Sequence, residues 1–258
     1  MRRQAGAKLV AMSDARTGVT AALLGAVVPG VAVAVETFAD DPDAMLFPAE
    51  EAVIERAVAK RRREFTTGRV CARRALARLG IEPGPLLPGP KREPLWPAGV
   101  VGSITHTDGY RAAAVAWARQ LVSVGIDAEP NGPTPEGVLE RVSLPSEREW
   151  ISRVAAGAAE VSWDRLLFCA KESVYKAWFP LAQAWLGFED AEITLTGDQP
   201  APAGAGAGQR TGTFSARLLV EGPLLPDGRR LSTLRGRFVV GQGLIVTAVA
   251  VEPAGAAS

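Results

Sequence analysis

Apolar and polar residues alternate from residue 122 to residue 129, and this alternation predicts a β-strand with one apolar face and one polar face. The polar face carries two carboxylates, Asp127 and Glu129. Farther along, apolar residues spaced by three or four positions predict a helix over residues 162–178, with Glu172 and Lys176 together beside the apolar stripe. The strand and the helix therefore offer three carboxylates and one cation to the same cleft.

Three carboxylates from one strand and one helix suit a hard cation such as Mg²⁺, which keeps several waters and also binds substrate phosphates. Each half of the pattern also has a simpler interpretation. Asp127 and Glu129 could lie on an ordinary solvated face, and Glu172 and Lys176 could form a surface pair one helical turn apart. The two patterns together favour chemistry on a phosphate.

Three segments occur in a fixed order along the chain. They are Gly-Ser-Ile-Thr-His at residues 102–106, Gly-Ile-Asp-Ala-Glu at 125–129 and Lys-Glu-Ser-Val-Tyr-Lys-Ala-Trp at 171–178. This order resembles the 4′-phosphopantetheinyl transferases of the surfactin-synthetase-activating type. The resemblance implies an α+β fold of two pseudo-symmetric halves in one chain, residues 1–120 and 121–258, acting as a monomer with coenzyme A between the halves.

The reaction implied by the resemblance transfers the 4′-phosphopantetheine arm of coenzyme A to a serine of an apo acyl or peptidyl carrier protein. Adenosine 3′,5′-bisphosphate is the second product. By the family motif, Asp127, Glu129 and Glu172 would hold Mg²⁺, and Glu172 would accept the serine proton directly or through water. Lys176 would bind the pyrophosphate, with Lys171 as a weaker candidate for the same role.

The same resemblance assigns residues of the first half to coenzyme A. Arg63 and Arg69 would bind the 3′-phosphate, and Lys91 and Arg92 would lie beside the adenine and the ribose phosphate. His106 would contact the phosphates with help from the Thr105 hydroxyl, whereas Ser103 is expected to be structural. The simpler alternatives are a structural histidine and a solvated basic helix face at residues 61–63, and the choice within that triplet stays open.

The composition excludes several classes of function. A formal net charge of +1 argues against a nucleic-acid or anionic-membrane binder, although basic residues outnumber acidic ones between residues 60 and 93. The uncharged stretch at residues 18–35 is broken by Pro29 and Gly30, well short of the roughly 20 residues that a membrane span needs. Cys71 and Cys169 lack metal-site spacing, so we expect reduced thiols in a cytoplasmic protein.

The remaining pattern predicts a short helix, a turn and a strand over residues 18–38, then a helix or helix pair at 50–79 with a break at Gly68 and a stop at Gly80. Residues 83–97 predict an extended surface loop, residues 198–209 a mobile loop and residues 1–17 a loosely held terminus. Further strands are predicted at residues 102–106, 110–118, 191–196, 213–220, 235–240 and 244–251. The tryptophans are expected to pack in the core.

Residues 131–148 follow the polar strand directly, so we expect the carrier protein to dock on this segment and on the end of the predicted helix at 162–178. An exposed pair among Leu139, Val142 and Leu144 would provide the apolar anchor. Arg141 and Arg148 could then steer an acidic partner. Two other functions stay open at this stage. The same acids could serve a Mg²⁺-dependent coenzyme A pyrophosphatase, or the fold could be a non-catalytic module that binds coenzyme A or a carrier.

Overall fold

A computed structural model describes residues 22–155, 160–200 and 209–255. The predicted loose terminus at residues 1–17 lies outside the described residues, as does most of the predicted loop at 198–209. The described part combines helices with two antiparallel sheets, which confirms the α+β expectation.

The first half of the chain consists of a short helix, a strand, two further helices and a two-stranded hairpin. Its elements are α1 (Leu24–Val27), β1 (Val33–Thr37), α2 (Pro48–Val53), α3 (Ala59–Arg78), β2 (Val100–Thr107) and β3 (Tyr110–Trp117). Gly80 follows α3 with a φ of +80°, a conformation that glycine adopts without a steric penalty, so the predicted helix stop is confirmed. Gly109, at φ +70°, makes the turn between β2 and β3.

The second half begins with a strand, continues with helices and ends in a four-stranded meander. Its elements are β4 (Ser123–Pro130), α4 (Val138–Val142), α5 (Pro145–Val154), α6 (Trp163–Ala182), a 3₁₀ turn (Phe188–Asp190), β5 (Ala191–Pro200), β6 (Arg210–Leu218), β7 (Thr233–Gly241) and β8 (Leu244–Val251). The predicted order of a strand, a long helix and further strands is therefore present, with α4 and α5 added between β4 and α6.

The strands form two sheets in the orders β1-β3-β2 and β4-β8-β7-β6-β5. One face of the small sheet packs against α3, and the other packs against the helix α1 and against β4, β8 and β7 of the large sheet. The opposite face of the large sheet packs against α5 and α6. The halves thus share one apolar layer, as the lack of a flexible linker predicts; the division at residues 120 and 121 stays a prediction.

Short helices in both halves start in the same way. Phe47-Pro48-Ala49-Glu50 begins α2 and Leu144-Pro145-Ser146-Glu147 begins α5, and in each the glutamate side chain accepts the backbone N–H three residues earlier. Each of these bonds gives an acceptor to a backbone N–H at the start of the helix that would otherwise lack one. Both glutamates are buried, Glu50 at 0% and Glu147 at 1% exposure, so each also serves the core of its half.

Three expectations need correction. The helix α3 runs through Gly68 without a break; Gly68 allows a close approach to β2, since a Cβ there would lie 3.2 Å from Cγ2 of Ile104. The irregular stretch at 83–97 is not wholly on the surface, since Leu86 is buried and hydrogen-bonded to Arg69 and Glu50. The strand β5 continues to Pro200, past the predicted start of the loop at residue 198.

Candidate active site

The helix α6 lies directly on β4 because Gly125 has no side chain. A Cβ at Gly125 would lie 2.1 Å from the carbonyl oxygen of Ser173 and 2.5 Å from the nitrogen of Ala177. Ser123 fixes the same contact by donating a hydrogen bond to the carbonyl of Ala177 at 2.7 Å. The polar face of β4 is therefore covered by a helix, which excludes the solvated-face interpretation of Asp127, now 5% exposed.

This close packing brings Lys176 to Asp127. The Lys176 ammonium donates to Oδ1 of Asp127 at 2.7 Å and to the carbonyl of Ile126 at 3.1 Å. Burial lowers the pKa of Lys176, but the Asp127 carboxylate outweighs burial, so the pKa is raised overall. Lys176 therefore stays protonated at neutral pH and leaves one fixed positive charge beside the acids.

Glu129 and Glu172 complete the acidic group. Burial and the Asp127 charge raise the pKa of both carboxyls, and Glu129 adds to the effect on Glu172. Arg165 opposes the shift at Glu129 by donating to its Oε2 at 3.0 Å. The three acids thus lie close enough to repel one another, a concentration of negative charge that a cation would relieve.

The acids are not arranged as a finished metal site. Over residues 22–155, 160–200 and 209–255, no group of three or more His, Cys, Asp or Glu side chains is placed to hold a metal ion. The donor chemistry nevertheless fits a hard cation, because Oδ2 of Asp127 is buried and has no hydrogen-bond partner within those ranges. Asp127 is therefore the acid whose open oxygen suits such an ion best.

A cavity of about 900 Å³ opens between the two halves at this point. The C-terminal half contributes one wall through Glu172, Tyr175, Lys176 and Phe179 of α6. The N-terminal half contributes the other wall, with basic and histidine side chains among its lining residues. These are Arg61, Arg69, Lys91, Arg92 and His106. One elongated ligand with several negative charges would match both walls.

The structure distinguishes between the arginines of residues 61–63. Arg61 lines the cavity, whereas Arg63 lies outside the lining and pairs with Asp40 at 3.6 Å. Arg62 turns to the carbonyl of Ile54 and to Glu51. Arg61 is therefore the residue of this triplet that lines the cavity, and Arg69 lines it too, with its pKa lowered by burial to about 10.

His106 lies at the cavity wall beside Arg61. Nη1 of Arg61 and Nε2 of His106 are 2.8 Å apart, and the guanidinium can only donate, so Nε2 accepts. Burial lowers the pKa of His106, and the charges of Arg61 and Lys176 lower it further against the opposing effect of Glu64. The lowered pKa favours the neutral imidazole at pH 7.

Two predicted ligand contacts lie elsewhere in the structure. Thr105 is absent from the cavity lining and hydrogen-bonds Asp127 and the nitrogen of Ala128, both at 3.1 Å. Ser103 also hydrogen-bonds β4, accepting from the nitrogen of Ile126 at 3.1 Å, which agrees with its expected structural role. The Ser103 and Thr105 hydroxyls thus bond β2 of the first half to β4 of the second. The family motif alone does not indicate that these two side chains point toward β4.

Lys171 also lies outside the lining of the larger cavity. Its ammonium donates to Glu147 at 2.8 Å and to the carbonyls of Phe188 and Ala191 at 2.6 and 3.0 Å. Burial lowers its pKa, and the Glu147 carboxylate opposes that shift. All three ammonium hydrogens have acceptors, so Lys171 ties α6 to α5 and β5 and is not available to a pyrophosphate.

A second cavity of about 230 Å³ adjoins the first, and sequence reasoning missed it. Glu172 and Tyr175 line both cavities, so the two cavities share part of their walls. The remaining lining of the second cavity is largely apolar and includes Trp185, Leu186 and Phe188, together with Lys171. The signal is the cluster of aromatic and apolar residues just after α6. Trp185, which the sequence pattern assigns to the core or to packing between the halves, is 74% exposed.

The segment expected to bind a carrier protein offers little apolar surface. Val142 is buried at 4% exposure, and Leu139 packs against the core of the second half. Leu144 is half-buried at the start of α5. Most of the apolar anchors expected at residues 131–148 are therefore ordinary core residues. Separately, no helix in the described ranges has the length and apolar character to cross a membrane.

Comparison with known proteins was made on the sequence. Residues 49–116 match the family described as 4′-phosphopantetheinyl transferase N-terminal domain, and residues 123–219 match the 4′-phosphopantetheinyl transferase superfamily. The matched ranges cover β4, α6 and the elements that build both cavity walls.

Three curated relatives carry the same description. 4′-Phosphopantetheinyl transferase Svp of Streptomyces mobaraensis is 54% identical over 239 residues, which is 91% of this chain and 92% of the relative. PptT of Mycobacterium tuberculosis is 50% identical over 214 residues, 83% of this chain and 89% of that protein. Npt of Nocardia iowensis is 49% identical over 208 residues, 81% of this chain and 90% of that protein.

Proposed function

The chain belongs to the 4′-phosphopantetheinyl transferase family, and we propose that its inter-half cleft moves the 4′-phosphopantetheine arm of coenzyme A to a carrier-protein serine. The observation that carries this proposal is the shared cavity. Glu172 and Lys176 line one wall, with Asp127 paired to Lys176 at 2.7 Å, and Arg61, His106, Lys91 and Arg92 line the other. A pyrophosphate with a distant third phosphate needs this separation of positive groups.

The placement of coenzyme A follows from the charges. Arg61, Arg69 and His106 bind the 3′-phosphate, with Lys91 and Arg92 beside the nucleotide, because these cations share the wall of the N-terminal half. Lys176 binds the pyrophosphate near Glu172. The pantetheine arm then enters the second cavity, whose apolar lining begins at Tyr175 and suits an uncharged chain.

The acids would hold Mg²⁺. Asp127, with its open oxygen, is the principal candidate, and Glu129 and Glu172 are the others, the three that the family motif assigns. Such an ion supplies charge neutralisation at the pyrophosphate when it is bound. Lys176, which pairs with Asp127 at 2.7 Å, would be free to donate to a phosphate oxygen once that carboxylate has another partner.

Glu172 is the candidate base. Its raised pKa, caused by burial and by Asp127, makes it a better proton acceptor than an ordinary surface glutamate. In the step itself the serine oxygen bonds to the β-phosphorus, the bond to the leaving adenosine 3′,5′-bisphosphate breaks, and the serine proton passes to Glu172. Lys176 stabilises the negative charge that develops on the departing phosphate.

The proposal includes a monomer in the cytoplasm. One chain supplies both walls of the cavity, so a second copy is not needed to complete the site. Cys71 and Cys169 are buried free thiols, which suits a reducing compartment. The carrier is an acyl or peptidyl carrier protein with an accessible serine, and neither a nucleic acid nor a membrane is required.

Intact mass spectrometry tests the activity. The protein is incubated with coenzyme A, Mg²⁺ and a panel of apo carrier proteins, and each carrier is weighed. A mass gain of one phosphopantetheine on the carrier serine is expected. Release of adenosine 3′,5′-bisphosphate without a mass gain would identify the pyrophosphatase alternative, and binding without either product would identify a non-catalytic module.

His106→Ala is expected to weaken coenzyme A binding more than dephospho-coenzyme A binding, because the imidazole is assigned to the 3′-phosphate. A hydrogen bond to a charged group contributes about 1.5 to 3 kcal/mol, and that difference should be confined to the ligand with the third phosphate. Isothermal titration with both ligands measures it. Equal losses for the two ligands would move His106 to the pyrophosphate or to a structural role.

Arg61→Ala and Arg63→Ala form a matched pair for the same question. Both remove an exposed arginine from α3, but only Arg61 lines the cavity and contacts His106. Arg61→Ala should reproduce the ligand-specific loss, and Arg63→Ala should bind coenzyme A as the wild type does. The reverse result would return the phosphate role to Arg63.

A further inference from the structure

The hydroxyl of Thr105 bridges the two halves at the acidic group. Thr105 lies on β2 and is 2% exposed. It donates to Oδ1 of Asp127 at 3.1 Å and accepts the N–H of Ala128 at 3.1 Å. Both partners belong to β4, so one side chain of the N-terminal half is bound to the carboxylate strand of the other.

The hydrogen-bonding capacity of a hydroxyl decides what else Thr105 can do. A threonine has one O–H to donate, and here that hydrogen goes to Asp127. A phosphate oxygen also needs a donor. Thr105 could therefore contact coenzyme A phosphate only by releasing Asp127, which would leave a buried carboxylate oxygen with Lys176 alone.

Ser103 makes the same kind of hydrogen bond to β4 as Thr105 but does not contact a carboxylate, so the two residues can be compared. It lies two residues earlier on β2, is 4% exposed, and accepts the N–H of Ile126 at 3.1 Å, two residues before Ala128. The two hydroxyls thus bind alternate N–H groups along one edge of β4. Only Thr105 also reaches a carboxylate, so the Asp127 contact is additional to the joining of the halves.

The Thr105 contact restricts how the Asp127 carboxylate can turn. Oδ1 accepts both the Thr105 hydroxyl and the Lys176 ammonium, the latter at 2.7 Å, whereas Oδ2 is buried and accepts no hydrogen bond in the described ranges. The buried Cys169 thiol lies close to the same carboxylate. Rotation of the carboxylate would break two hydrogen bonds. The oxygen that stays open is therefore held in one orientation.

We propose that Thr105 is a positioning residue that fixes the Asp127 carboxylate for divalent-cation binding, so that a strand of the N-terminal half orients the ion site of the C-terminal half. The inference rests on the proposed function, in which Asp127 holds the cation. It replaces the phosphate contact that the family motif suggests for Thr105. Partners that orient a metal ligand in this way contribute about 10- to 100-fold to metal affinity.

The test measures Mn²⁺ binding by electron paramagnetic resonance without coenzyme A, and coenzyme A binding by titration in EDTA. Thr105→Val keeps the shape and removes the hydroxyl, Thr105→Ser keeps the hydroxyl, and Ser103→Ala removes only the second bond between the strands. Thr105→Val should bind Mn²⁺ about 10- to 100-fold more weakly with unchanged coenzyme A affinity in EDTA. Thr105→Ser and Ser103→Ala should keep the wild-type Mn²⁺ affinity.

Several outcomes would overturn the proposal. Weaker coenzyme A binding in EDTA with unchanged Mn²⁺ affinity would restore the phosphate contact for Thr105. Equal loss of Mn²⁺ affinity in Ser103→Ala would show that the joining of the strands matters and the Asp127 contact does not. If Thr105→Val does not fold, Thr105→Ala is made in the wild-type protein and in Asp127→Asn. The proposal requires that Thr105→Ala lower the Mn²⁺ affinity of the wild-type protein and leave that of Asp127→Asn unchanged.

The proposed function can fail separately. A wild-type protein that binds Mn²⁺ through Asp127 but transfers nothing to any carrier would refute the transferase mechanism and leave the role of Thr105 standing. A wild-type protein whose Mn²⁺ affinity is the same as that of Asp127→Asn would overturn the role of Thr105 directly, whatever the result with carriers.

Discussion

Asp127→Ala is expected to lower the rate of phosphopantetheine transfer by at least about 100-fold, because a direct metal ligand should matter more than the 10- to 100-fold typical of residues that only orient one. The change removes the buried open oxygen and also releases Lys176 from its partner at 2.7 Å. Asp127→Asn keeps the shape and removes the charge, so it should show nearly the same loss. Transfer is measured by carrier mass at saturating coenzyme A and Mg²⁺.

The fold should survive the change at Asp127, since the apolar face of β4 supplies the packing between the halves. Circular dichroism and thermal unfolding on the same samples establish this. Asp227→Ala is a suitable control, because Asp227 is also an ion-paired acid, but its partners are Arg229 and Ala254, neither of which belongs to the proposed site. Wild-type transfer by folded Asp127→Ala would remove this carboxylate from the mechanism.

The parts of the site that follow from local periodicity were predictable. Alternation along residues 122–129 places Asp127 and Glu129 on the face that meets α6, and the apolar stripe of that helix places Glu172 and Lys176 at the cavity. Both patterns are fixed by backbone geometry within a few residues. The α+β class and most strands were predictable for the same reason.

The choice among the arginines at 61–63 depended on a longer stretch of helix. Arg61 lies one turn before Phe65 and two turns before Gly68, and all three residues line the cavity. Arg63 instead lies one turn before Thr67, and both contact Asp40. The helical spacing therefore already separates Arg61 and Arg63 onto different faces of α3, whereas the motif resemblance points to Arg63.

Other assignments could not be derived locally. Thr105 and Lys171 belong to recognisable motifs, yet their partners, Asp127 and Glu147, lie on elements brought near only by the tertiary fold. A hydroxyl or an ammonium bonds whichever acceptor the fold provides. Motif spacing indicates that such a residue is near the site, and the structure decides whether it contacts the ligand or supports a neighbour.

The second large effect is expected in stability. Glu147→Ala should lower the free energy of unfolding by about 3 to 5 kcal/mol, because it leaves the Lys171 ammonium buried without its counter-charge. The two side chains are 1% and 2% exposed and 2.8 Å apart. Glu147 also accepts the N–H groups of Leu144 and Ile193, so α5 and β5 lose an anchor at the same time. Urea unfolding followed by fluorescence measures the change.

A double variant separates the lost pair from the lost shape. In Glu147→Leu with Lys171→Met, no charge remains buried, so the loss should be smaller than the sum of the two single losses. Lys171→Met alone should be destabilised but, where folded, should bind coenzyme A with wild-type affinity. Lys171 lines the smaller cavity, but its ammonium donates to Glu147, Phe188 and Ala191 and so has no hydrogen left for a ligand. A stable Lys171→Met protein with weakened coenzyme A binding would return Lys171 to the pyrophosphate. Additive losses in the double variant would mean that packing, and not the ion pair, makes this junction between α5, α6 and β5 necessary.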